Sequence, residues 1–235
     1  ILRGLFGDGR TAVAPAREAT LPDQLADEDR GWRSLTGGPF GPGERDLPEH
    51  ERLEALNDAD EAFRHNPLAF RLIELTLDHV LGRGMRLAVA DPAAAAFVAT
   101  WWDHPQNALS LRQFDMLLEL SLTGELFIAL YTNPGDGMTY LRIVPSRQID
   151  RIETDPEDVE RPLRYHRLGP APTGGGGVVG IGLAASGRWY GPEELRHYTV
   201  NRLPGAVRGQ SDLAPLPPWL RRYRDWLADR VRINR

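Results

Sequence analysis

Residues 110–144, SLRQFDMLLELSLTGELFIALYTNPGDGMTYLRIV, decide the fold. In the first half, Leu111, Phe114, Leu117, Leu118 and Leu122 recur at helical spacing and predict one buried side of an amphipathic helix. Ser110 with Gln113 predicts a capping box at its start, and Gly124 its end. Past that glycine the apolar period shortens to that of a strand. Leu126–Thr132 and Met138–Val144 read as two strands, joined by the turn sequence Asn133-Pro134-Gly135-Asp136-Gly137. A helix that feeds straight into an antiparallel hairpin predicts an α+β fold.

Toward the N-terminus the pattern is helical. Leu53, Leu56, Ala59 and Phe63 predict a helix beginning near Pro48. Asn66-Pro67 stops it and starts another, with Asn66 as N-cap. In that second helix Leu68, Leu72, Ile73, Leu77, Val80 and Leu81 form a wide apolar face, opposite Arg71, Glu74 and Asp78. Gly82 is its expected stop. Met85, Leu87 and Val89 alternate as a short strand, and Asp91-Pro92 opens a helix running through Phe97 to Trp101 or Trp102. Residues 1–47, with Gly37-Gly38-Pro39 and Gly41-Pro42-Gly43, read as a flexible arm.

Toward the C-terminus, further strands are expected at Gln148–Glu153, Leu163–Leu168 and Arg196–Val200. Residues 169–187 contain four consecutive glycines and read as a loop. Residues 48–200 therefore form an α+β domain, and 201–235 a loop followed by a helix. Trp219, Leu220, Tyr223, Trp226, Leu227 and Val231 share one face of that helix; Arg221, Arg222, Arg224 and Asp225 lie mainly on the other. The pattern reaches Arg235 without a stop signal, from which we expect a longer parent chain.

Composition limits what the chain can do. Its 235 residues are 41% hydrophobic, enough to fill a core. With no cysteine, disulfides, thiolate metal sites and cysteine nucleophiles are excluded. No run approaches the ~18 apolar residues of a membrane span, and Ile1–Phe6 is too short for a secretory signal, so we expect a soluble, unexported protein. The net charge is -5, yet residues 201–235 hold eight arginines against three aspartates, leaving the first 200 residues strongly acidic. All 28 basic residues are arginine. An acidic body lacks the basic face of a general nucleic-acid binder.

Catalytic signatures are weak. The six histidines (His50, His65, His79, His104, His166 and His197) are scattered and form no HExxH spacing. Asp103-His104 is the nearest thing to an acid–base or metal pair, but at a helix end it reads as structural. Gly180, Gly182 and Ala185 match a dinucleotide fingerprint without the strand and helix that it needs. Neither GxxxxGK[ST] nor GxSxG occurs, and Ser110, Ser121, Ser146, Ser186 and Ser211 have no evident base nearby in sequence. The carboxylates Asp155, Glu157, Asp158 and Glu160 lack EF-hand spacing and read as a solvated turn. We therefore expect no catalytic residue, metal or cofactor.

The order of elements carries a resemblance. Val80-Leu81-Gly82-Arg83-Gly84-Met85-Arg86-Leu87, after helices broken at Asn66-Pro67, resembles the opening of tailed-bacteriophage portal proteins. Ser121-Leu122-Thr123-Gly124-Glu125-Leu126-Phe127 resembles that family's helix–glycine–strand step. Ile143-Val144-Pro145-Ser146-Arg147-Gln148-Ile149 is similar to its next strand. His197-Tyr198-Thr199-Val200-Asn201-Arg202, followed by Arg208-Gly209-Gln210-Ser211-Asp212-Leu213, resembles the strand and loop that precede its long helix. The resemblance covers roughly residues 50–235.

It implies a portal-like wing of helices packed on short antiparallel strands and hairpins, leading into a C-terminal helix directed to a stem. It also implies a ring-shaped homo-oligomer, usually a dodecamer, found in virions or encoded by prophages. Implied partners are the terminase large subunit, the capsid, tail adaptor proteins and translocating double-stranded DNA bound without sequence specificity; no membrane is implied. Arg221, Arg222, Arg224, Trp219 and Trp226 are candidate subunit-interface or DNA-proximal residues. An acidic body suits a channel, because each phosphate contact adds affinity through counterion release and would slow transport. The alternatives are another phage head-morphogenesis or adaptor protein, and a metal-dependent hydrolase. The last requires Asp103, His104 and the 155–160 carboxylates to converge.

Overall fold

The computed structural model describes residues 45–169 and 187–234. Most of the expected arm and of the Gly-rich stretch, including Gly180, Gly182 and Ala185, lies outside the described residues, as does Arg235. The fold is α+β, with five helices and two three-stranded antiparallel sheets among the described residues.

Helix α1 (Glu49–His65) gives way at Asn66 to α2 (Pro67–Val80). The Asn66 side chain accepts from the amides of Leu68 and Ala69, and Pro67 occupies the first helical position, as the sequence predicts. The buried face of α2 is narrower than expected. Ala69 and Ile73 are buried, whereas Leu68, Leu72 and Val80 are exposed. Ala69 and Ile73 pack on the helical core with Leu77, and Phe70 meets the Phe63 ring of α1, while Leu68, Leu72 and Val80 face outward. Leu81 follows α2 as a buried cap, and Gly82 takes the left-handed conformation that ends it.

Met85, Leu87 and Val89 alternate but form no strand. A strand needs a neighbour, and this segment pairs with no strand of either sheet. The segment is held instead by the Met85 amide, which donates to Gln113 Oε1. Helix α3 (Pro92–Asp103) starts as expected, with Asp91 accepting from the Ala94 amide. Helix α4 (Leu109–Thr123) begins one residue before Ser110, after Ala108 in a left-handed conformation. The predicted capping box is therefore wrong. The His104 carbonyl accepts from the amides of Asn107 and Ala108, and this turn starts the helix. Gln113 is drawn toward Met85, and Leu111 points to solvent instead of the core.

Strand β1 (Glu125–Thr132) is the middle of the first sheet. It pairs on one side with β2 (Thr139–Val144), from Phe127 opposite Val144 to Thr132 opposite Thr139. β3 (Ile149–Asp155), β4 (Asp158–Arg167) and β5 (Arg188–Tyr190) form the second sheet in that order. β6 (Leu195–Thr199) returns to pair with the other side of β1, from Glu125 opposite Thr199 to Ala129 opposite Leu195. β5 was not legible in sequence, since three residues show no alternation. The acidic 155–160 stretch is the tip of the β3–β4 hairpin: Glu157 lies in the turn, as expected, but Asp155 ends β3 and Asp158 and Glu160 open β4. Asp155 and Asp158 accept from the amides two residues on, and Arg161 and Arg202 pair with Asp155 and Glu160.

The two sheets enclose one core, made by Phe127, Ala129, Val144, Ile149, Tyr165, Tyr190 and Leu195. Ala59, Ala69, Ile73 and Leu213 form a second core among the helices, with Leu118, Leu122, Leu216 and Leu220 packed around it. Burying one such leucine or isoleucine side chain contributes roughly 1.5–3 kcal/mol. The last helix, α5 (Pro217–Ile233), joins this second core only through its first turn. No described helix is long and apolar enough to cross a membrane.

Candidate functional site

Glu125 opens β1 directly after Gly124, and this puts its carboxylate inside the protein, where it is 2% exposed. Such a charge must be compensated. Ser146 Oγ donates to Oε2 at 2.6 Å, and Arg208 pairs with the same oxygen at 3.1 Å. Oε1 lies 3.3 Å from His197 Nε2, and neither atom has another partner. The register sets this approach, because His197 stands opposite Phe127 on β6 and stacks on its ring, with centroids 4.2 Å apart. Arg208 also donates to the Ile149 carbonyl at 2.8 Å. Arg52 of α1 reaches the same carbonyl and Ser146, while its other bonds go to Glu49. Burial works to raise the pKa of Glu125. The Arg208 guanidinium, with His197 and Ser146, outweighs that and holds the carboxyl at about 2.

Arg208 belongs to the loop that leads into α5, and the loop is fastened on three sides. The Asp46 carboxylate accepts from the amides of Val207 and Arg208. Burial pushes the pKa of Asp46 up, against these two bonds. Val200 donates to the Gly124 carbonyl, Gln210 to the Val200 carbonyl, and Asp212 to the Ser121 carbonyl. The side chains of Ser121 and Asp212 bond each other, and Asn201 donates to Asp212 at 2.6 Å. The backbones meet with no room to spare. A Cβ on Gly209 would overlap the carbonyl oxygens of Gly124 and Val200. Gly124 is also left-handed, which favours glycine there. Two stretches far apart in sequence, Ser121–Glu125 and Arg208–Leu213, are thus locked together.

From this anchor α5 leaves the body. Arg221 pairs with Asp58 of α1 at 2.6 Å, an exposed contact worth about 0–1 kcal/mol. Arg222 lies over the Trp219 ring and Arg230 over Trp226. Tyr223 stacks with Trp226, and Arg224 pairs with its neighbour Asp225. The five residues singled out from sequence therefore share one helix, with their side chains largely exposed. A groove of about 350 Å³ runs between α5 and the α1–α2 junction, lined among others by Asp58, Glu61, Leu68, Tyr223 and Leu227.

The sequence reading missed the buried cluster as a site. Glu125, His197, Ser146 and Arg208 stand in stretches quoted for the resemblance, but nothing in their spacing marked them as partners. Arg52 and Asp46 carried no signal at all. The His104 ring packs at a tilt against Tyr140, and its Nδ1 accepts from the Gln106 amide. Among the described residues no group of three or more His, Asp or Glu is placed to hold a metal ion. No protein-family model matches the chain, and no curated protein matches it.

Proposed function

We propose that the chain is a subunit of a tailed-bacteriophage portal ring, the vertex channel through which double-stranded DNA is packaged and ejected. The observation that carries this reading is the anchor. Ser121–Phe127 and Arg208–Leu213, two of the stretches that resemble the family, bond to each other and set the direction of α5. The α+β body, read as the wing, then holds a helix that is anchored through Pro217 and Leu220 and is otherwise largely exposed. Exposed apolar stripes of this size call for a partner. On this reading the protein works as scaffold and docking platform for the terminase large subunit, capsid and tail adaptors. It needs no catalytic residue or cofactor, acts in the virion, and touches DNA without reading its sequence.

Negative-stain electron microscopy of the purified protein tests the proposal. Class averages showing rings with a central channel are expected. Monomers or dimers at every concentration and salt would refute it.

A further inference from the structure

Two oppositely charged surfaces of the chain are only partly used. Helix α5 carries five arginines against two aspartates, a net of +3. Trp219, Tyr223, Trp226 and Arg230 follow one another at i, i+4, i+7 and i+11 and so share a face. The three aromatics on it are 65, 49 and 53% exposed. Leu220, the residue of α5 that packs on the helical core, lies about 100° around the helix from Trp219. Trp219 and Trp226 therefore turn away from the body, whereas Tyr223, on the Leu220 side of the stripe, lines the groove against α1 and α2. Arg222 and Arg230 lie over the two tryptophans and add cationic edges.

Helix α1 is the complement. It carries six carboxylates against two arginines, a net of -4 with histidine neutral. Glu54, Asp58 and Glu61 fall on one face at i, i+4 and i+7, with the exposed Ala55 beside it and Ala62 turned toward the helical core. This face already takes an arginine of α5 within the same chain, Arg221 on Asp58. That contact uses only part of it. Glu54 is exposed, lies outside the groove beneath α5, and makes no ion pair or hydrogen bond among the described residues.

We infer that the Trp219–Trp226–Arg230 stripe of α5 docks on the Glu54–Glu61 face of α1 in a second copy of the chain. The inference rests on the proposed ring and names the surfaces that join its subunits. Aromatic side chains supply the apolar area, and Arg230 opposite Glu54 sets register, the usual division of roles in an interface. Because different patches meet, the contact is head-to-tail and can close into a ring.

Mass photometry of the full chain and of Arg230→Glu, Glu54→Arg and the double variant tests it, with thermal melts to confirm folding. Each single reversal should weaken assembly about tenfold, and the double variant should restore most of it. Trp226→Ala should weaken it roughly thirtyfold. Rings unaffected by the single reversals, or not restored in the double variant, overturn this docking while leaving the portal reading intact. Assembly that responds to the swaps but stops at two copies supports the docking and refutes the ring. A native chain that stays monomeric overturns both.

Discussion

Replacing Glu125 by glutamine removes one charge from the anchor and keeps its shape. The carboxyl titrates at about 2 in the fold instead of the usual 4.5, a gap that corresponds to about 3 kcal/mol at neutral pH. The sign follows from the direction. A depressed carboxyl contributes fully above its unfolded pKa, and the contribution is lost as pH falls through the folded value. Asp46 and Glu119 act the other way, since burial raises both and favours their protonated forms in the fold. Both remain in Glu125→Gln, but the Glu125 charge helps to raise them, so the difference between wild type and variant reports Glu125 together with its coupling to these two carboxyls. Urea unfolding from pH 7 down to pH 3 gives that difference directly. The variant should be less stable by about 3 kcal/mol at pH 7, and the deficit should shrink to less than half by pH 3. A deficit constant with pH would show that Glu125 contributes by packing, and would refute the electrostatic account. So would the absence of any deficit.

Two further outcomes test the same architecture. Gly209→Ala should cost about 1–3 kcal/mol, because its Cβ meets main-chain oxygens that cannot turn aside; a melting curve followed by circular dichroism should shift down by several degrees, and an unchanged midpoint would contradict the clamp. Asn107 is fully buried, donates to the Trp101 and Thr139 carbonyls and accepts from the Leu141 amide. Asn107→Ala should cost about 1–3 kcal/mol and speed hydrogen exchange at Leu141, whereas unaltered exchange would mean that the β2 edge is held by other bonds.

Local grammar was legible in the sequence. The step from α4 through Gly124 to the hairpin, the Asn66-Pro67 junction and the Asp91-Pro92 start all depend on neighbouring residues and needed no tertiary information. What failed depended on distant partners. Met85, Leu87 and Val89 have the alternation of a strand and no strand to pair with. Ser110 has the chemistry of a cap, but the turn at His104–Ala108 starts the helix earlier. The Glu125 cluster gathers residues from α1, β1, β6 and two loops, separated by up to 156 positions, and no periodicity encodes that meeting. The five residues chosen on α5 were found on one helix as expected, because a 3.6-residue repeat reports its own faces whatever lies around it.

The geometry of α5 has a mechanical consequence. Its fixed end lies at Leu213–Leu220, where Leu213 is fully buried and Asp212 is tied to Ser121. From Leu220 to Ile233 the helix extends about 20 Å. It is a lever arm with its bearing at one end. A tilt of about 5° at the bearing moves the tip by roughly 2 Å, while the hydrogen-bonded sheets need not shift at all. Strain applied to the far end would travel back through Arg208 into β1, so the buried Glu125 would bear the load of a helix that it never touches.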